Sequence, residues 1–207
     1  IICLQGINNN KSMEYILENL KEFYQSEHVI PSNNLIFISS FKIQNNEFKL
    51  FNSNKILNNK KGILMTDIKV NDSLITLYNT EFTENISEDI ITTSIRKKQL
   101  KQSLDIIQNK INKKDDSHSG LHILLGSLYL DEVDNKDLLD IIEFYKKELK
   151  AENKDDYILF FIKKYSQIED LKKFILEKYN IEIIDVYFRE EVNYSKNLPL
   201  ELIIKFK

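Results

Sequence analysis

Gly62-Ile63-Leu64-Met65-Thr66-Asp67-Ile68-Lys69-Val70, then Asn71-Asp72, then Ser73-Leu74-Ile75-Thr76-Leu77-Tyr78 is the stretch that decides the fold. Two runs rich in apolar and β-branched residues flank a pair of turn-forming residues, which predicts a β-hairpin. Past a polar stretch, Ile91, Ile95, Leu100, Leu104, Ile107 and Ile111 recur at helical spacing and predict a long helix over residues 88–112 with one buried stripe. A hairpin followed by a helix in one continuous stretch is the mark of a layered α/β domain.

The flanks extend the same alternation. Upstream, residues 1–5 read as a short strand. Ser12 stands as an N-cap before Met13, Ile16, Leu17, Leu20 and Phe23, and residues 35–43 and 47–51 read as strands. Asn9, Asn10, Asn33, Asn34, Asn45, Asn46, Asn58 and Asn59 fall where turns are expected, since Asn tolerates turn conformations. Downstream, residues 113–120 form a polar loop and 121–125 a strand. Residues 137–149, 157–165 and 168–179 read as helices, and 181–188 and 200–206 as closing strands. There is no internal repeat and no Gly/Ser linker, so residues 1–207 are expected to form a single domain.

Composition narrows the function classes. The chain of 207 residues is 42% hydrophobic and 29% charged, which excludes wholesale disorder. A formal charge of −3 gives no global field for nucleic acid or an anionic membrane. Lys97, Lys98, Lys101, Lys110, Lys113 and Lys114 leave a locally basic helix and loop as a possible contact for nucleic acid. Cys3 is the only cysteine, which excludes an internal disulfide or a thiolate cluster and favours a reducing, intracellular and cytoplasmic setting. No apolar run approaches the roughly 18 residues of a membrane span, so no transmembrane segment is expected.

Four short segments resemble active-site segments of the endonuclease/exonuclease/phosphatase superfamily, and they come in the order that superfamily uses. They are Ile2-Cys3-Leu4-Gln5-Gly6, Tyr78-Asn79-Thr80-Glu81-Phe82, Leu124-Leu125-Gly126-Ser127-Leu128-Tyr129 and Ser195-Lys196-Asn197-Leu198-Pro199-Leu200. Their counterparts are L-Q-E, N-T-H-L, G-G-D-x-N and S-D-H-x-P. Four further elements are similar to the neutral sphingomyelinase branch: Asn19-Leu20-Lys21, Ser39-Ser40-Phe41-Lys42-Ile43, Lys61-Gly62-Ile63 through Ile68, and Arg96 with Gln99 and Leu100. The resemblance implies a two-sheet sandwich flanked by helices, with the site at one edge. It also implies that the family's first strand, with its metal-binding Asn, would precede Ile1, so that it either lies outside this sequence or has been lost.

The same resemblance implies a magnesium-assisted phosphodiesterase, in which a hard cation polarises the phosphate and a His activates water. By that correspondence the metal-binding Glu falls on Gly6 and the phosphate-contacting His on Glu81. The Asp and Asn of G-D-x-N fall on Ser127 and Tyr129, and the Asp and catalytic His of S-D-H on Lys196 and Asn197. Asp185 in Ile184-Asp185-Val186-Tyr187-Phe188 matches the Asp that orients the catalytic His.

These departures lead to the expectation of a catalytically inactive, sphingomyelinase-like pseudoenzyme without cofactor, acting as a protein-binding or structural subunit of a larger complex. The short stretch from Asp185 to Asn197, where sphingomyelinases carry a longer membrane-engaging segment, points the same way. The alternative is a divergent Mg²⁺-dependent phosphodiesterase with relocated ligands drawn from Glu81, Asp131, Glu132 and Asp185. A third reading keeps the pocket, with Lys196 and Asn197 in its lining, for a lipid headgroup or nucleotide. His118 and His122 as a metal pair, and Glu81, Glu84, Glu88 and Asp89 as an acidic patch, have simpler readings as surface or packing groups.

Overall fold

In a computed structural model of the chain, the described residues are 1–7, 9–22, 26–30, 34–52, 60–70, 73–83, 90–112, 121–127, 157–160, 181–188 and 200–206. They fall into two compact units, Ile1–Phe160 and Phe161–Lys207. The first unit holds β1 (Ile2–Leu4), α1 (Asn10–Leu20), β2 (Ser26–Ile30), β3 (Leu35–Ser39), β4 (Ile43–Leu50), β5 (Gly62–Val70), β6 (Ser73–Glu81), α2 (Ile90–Asn112), β7 (Leu121–Ser127) and β8 (Tyr157–Phe160). The second holds β9 (Ile181–Phe188) and β10 (Leu200–Phe206), an antiparallel pair in which Asp185 stands opposite Ile203.

The hairpin forms as its sequence predicts. β5 and β6 pair antiparallel from Ile63 opposite Thr80 to Val70 opposite Ser73. β6 continues to Glu81, beyond the expected end at Tyr78. This hairpin is the centre of a five-stranded sheet ordered β4-β5-β6-β7-β8, with β6–β7 and β7–β8 parallel. A second sheet, ordered β1-β3-β2, is antiparallel throughout.

Alternation along β6 sends its two faces to different partners. Thr76 and Tyr78 lie on the α2 side, where the Thr76 hydroxyl donates to Asp67 at 2.8 Å and Lys110 of α2 donates to the same carboxylate at 2.7 Å. Asn79 turns the other way and ties the two sheets together. Its amide nitrogen donates to the Leu4 and Ile36 carbonyls, both at 3.1 Å, and its oxygen accepts from the Gln5 side chain at 2.6 Å. The core between and beneath these layers is apolar, with Phe37, Ile63, Leu64, Ile68, Leu104 and Ile107 each no more than 1% exposed. The first unit is thus an α/β sandwich of two sheets with helices, as the resemblance implies.

Removing Asn79 takes the side-chain donor from one buried carbonyl, that of Ile36, and one part-buried, that of Leu4. An Asn79→Ala chain is expected to lose about 2–4 kcal/mol in urea unfolding, because each orphaned buried polar group costs about 1–3 kcal/mol. A loss below about 0.5 kcal/mol would mean that the sheets are held together by apolar packing alone.

Several boundaries differ from expectation. The cap of α1 is Asn9, whose side chain accepts the Ser12 amide at 2.8 Å, so Ser12 sits inside the helix. The strand expected over 35–43 is broken after Ser39, where the Ser39 hydroxyl accepts the Phe41 amide at 2.9 Å and turns the chain into β4. Residues 157–160, expected as helix, form β8 because their partner is the edge of β7. α2 agrees with the expectation, and Ile95, Leu100, Leu104, Ile107 and Ile111 are buried. The helices expected over 137–149 and 168–179 lie outside the described residues.

Candidate functional site

The C-terminal ends of β1, β6 and β7 meet at one edge of the sandwich. β6 and β7 run parallel and in register there, with Thr80 opposite Gly126 and Glu81 opposite Ser127. Register partners on adjacent strands present side chains to the same face, so Ser127 stands beside Glu81. The Phe82 amide donates to the Ser127 carbonyl at 2.9 Å and closes this edge. Beyond it, Gln99 of α2 holds Thr83 twice, accepting from its amide at 3.0 Å and donating to its hydroxyl at 3.1 Å. The Arg-x-x-Gln-Leu element therefore anchors the chain as it leaves β6.

Gly6 follows β1 with φ +73, in the left-handed region that favours glycine. A Cβ built there would stand 3.6 Å from Oε1 of Glu81. The position that the resemblance gives to a Glu, just after β1, thus faces a carboxylate that arrives from β6. Glu81 is 8% exposed, and its Oε2 lies 2.5 Å from Nζ of Lys61, the residue just before β5. Lys61 was quoted in the sequence only as part of a Lys-Gly element. Its role could have been suspected from the hairpin register, which sets Gly62 next to the end of β6 and leaves Lys61 flanking Glu81.

The other sequence candidates separate cleanly. Gly6, Glu81 and Ser127 come together. Tyr129, Asp131, Glu132, Lys196, Asn197, Glu84, Glu88, Asp89 and His118 lie outside the described residues, and Asp185 belongs to the second unit. His122 is fully buried on the α2 side, with Nδ1 2.8 Å from the Tyr78 hydroxyl, and is a packing residue. Lys110 is spent on Asp67, which takes it out of the basic surface of α2. Burial pushes the Cys3 thiol up to about 12, so it stays protonated at neutral pH and is no nucleophile. No described helix is long and apolar enough to cross a membrane.

Two packed sheets with the site at the strand ends define the class: the chain has the endonuclease/exonuclease/phosphatase fold. Within it, similar solved structures include a β-hairpin deletion mutant of beta toxin from Staphylococcus aureus, with TM-score 0.59 and 16% identity over 67% of this chain and 57% of that one. Sphingomyelinase C from Streptomyces griseocarneus gives TM-score 0.59 and 14% identity over 67% and 55%. A variant of the Staphylococcus aureus beta toxin with bound magnesium ions gives 0.58 and 16% over 67% and 56%. The match thus spans little more than half the length of these proteins. No family model matches the chain, and no curated protein does.

These neighbours correct the expectation of a non-enzyme. The solved structures sharing this fold include a sphingomyelinase C and a beta toxin with bound magnesium ions, so the fold gives no support to the expected loss of activity.

Proposed function

We propose that this chain is a divergent, divalent-cation-dependent phosphodiesterase of the sphingomyelinase-like kind, with Glu81 as its relocated metal ligand. The observation that carries this reading is the Glu81 carboxylate, whose Oε1 lies 3.6 Å from a Cβ built at Gly6, within van der Waals contact of the position that the resemblance gives to the ligand.

The donor chemistry fits the ion that the resemblance implies. Magnesium takes hard oxygen ligands, and is commonly held by one or two carboxylates with water and substrate phosphate oxygens completing the shell. Among the described residues no group of three His, Cys, Asp or Glu gathers, so Glu81 supplies one anchoring carboxylate rather than a closed cage. When bound, the ion would polarise the phosphoryl oxygen and balance the charge of the transition state. The chain's own groups do the positioning. Gln5 and Asn79 lock the floor of the site through the sheet-bridging bonds, which keeps β1 and β6 at fixed separation. Ser127, partly exposed opposite Glu81, offers a neutral hydroxyl to a phosphate oxygen or an attacking water.

The test is hydrolysis of a chromogenic phosphodiester and of sphingomyelin in mixed micelles by the purified chain, with Mg²⁺ or Mn²⁺ and again after EDTA. Turnover that vanishes on chelation and returns with the cation is expected. Turnover that survives EDTA, or none with either cation, would sink the proposal.

A further inference from the structure

Among the described residues, Glu81 meets a cation that the chain supplies itself. Lys61 Nζ lies 2.5 Å from Oε2, and the two side chains keep only 16% and 10% of their surface exposed. Water is largely excluded from the pair, so the contact is neither screened nor easily exchanged. Lys61 is also held from behind: its carbonyl accepts the Phe51 amide at 3.1 Å, and Gly62 immediately begins β5. The ammonium cannot leave Glu81 by a backbone shift without disturbing the strand; it must swing on its own stem.

We infer that Lys61 is an intramolecular competitor for the cation site, a tethered ammonium that a divalent ion must displace from Glu81 before it binds. This rests on the reading of Glu81 as the metal ligand. A magnesium–oxygen bond is about 2.1 Å long, so an ion on this carboxylate would lie within a few ångströms of an ammonium already in contact with it. Two cations that close repel strongly at low effective dielectric. Free-chain affinity for the metal is therefore held down by Lys61. The exchange is reciprocal: a ligand that draws Lys61 away from Glu81 raises metal affinity by the factor by which bound metal raises the affinity for that ligand. The carboxylate is ion-paired by default, and freeing it of this ammonium is a movement of the Lys61 side chain.

The experiment is Mg²⁺ and Mn²⁺ titration calorimetry, without substrate, on the 207-residue chain and its Lys61→Met and Lys61→Arg variants. Lys61→Met is expected to bind the metal on the order of tenfold tighter or more than wild type, and Lys61→Arg to bind like wild type. Equal affinity in Lys61→Met and wild type, or weaker binding in Lys61→Met, overturns the inference while leaving Glu81 as the ligand. No binding by any of the three overturns both. Should Lys61→Met fail to fold, the ¹⁵N resonance of the Lys61 ammonium in the wild-type chain carries the test. It is expected to shift as Mg²⁺ is added, and a resonance that stays put overturns the inference.

Discussion

Glu81→Gln is expected to abolish cation-dependent turnover, by at least about a hundredfold, and to remove metal binding from the calorimetric trace. The substitution keeps the shape of the side chain and its place opposite Ser127, and takes away only the charge. A neutral amide oxygen is a poor exchange for a carboxylate at a site with one anchoring acid, because magnesium surrenders its water reluctantly. Polarisation of the phosphoryl oxygen by a bound cation contributes several kcal/mol, and each 1.36 kcal/mol is about tenfold in rate. The same change leaves Lys61 beside an uncharged partner, so a loss of about 1–3 kcal/mol of stability is expected as well. Activity and unfolding must therefore be measured on the same preparation. Full turnover in a folded Glu81→Gln chain would remove Glu81 from the site, whereas Glu81→Asp, shorter but charged, is expected to fall between the two.

The distance between β1 and β6 along the chain explains why this residue was hard to assign from sequence. Gly6 reads as a lost ligand and Glu81 as a charge misplaced against a phosphate. Each is a local reading, and only the sheet-to-sheet contact sets a Cβ built at Gly6 3.6 Å from the Glu81 carboxylate. The hairpin and α2 were legible because their signals are local: apolar, β-branched runs, a two-residue turn, and a stripe from Ile95 to Ile111. β8 was not. Tyr157-Ile158-Leu159-Phe160 is a short apolar run whose period fits strand and helix equally, and the parallel edge of β7 decides it. The Asn9 cap was displaced to Ser12 for a similar reason, since both residue types cap helices and only the bond between them orders the pair.

Gly126→Ala is expected to be the most destabilising single change near the site, costing more than about 3 kcal/mol, since it combines steric overlap with an unfavourable backbone conformation. A Cβ there would stand 1.9 Å from the Thr80 carbonyl oxygen and 2.8 Å from its carbon, and both are backbone atoms that cannot rotate away. φ at Gly126 is +150, a conformation L side chains rarely adopt. Relief would require β6 and β7 to part at the point where Thr80 also donates to the Gly62 carbonyl at 2.8 Å, so the strain would spread into β5. Gly6→Ala is the control. Its Cβ meets nothing nearer than 3.6 Å, and the cost there is only that of φ +73, about 1–2 kcal/mol. Urea unfolding of the two variants separates the effects. If both lose the same small amount, the close approach of β7 to β6 is not what holds Glu81 and Ser127 side by side. If Gly126→Ala alone collapses, the glycine of that segment is there for strand packing, and the site's chemistry rests on the residues that flank it.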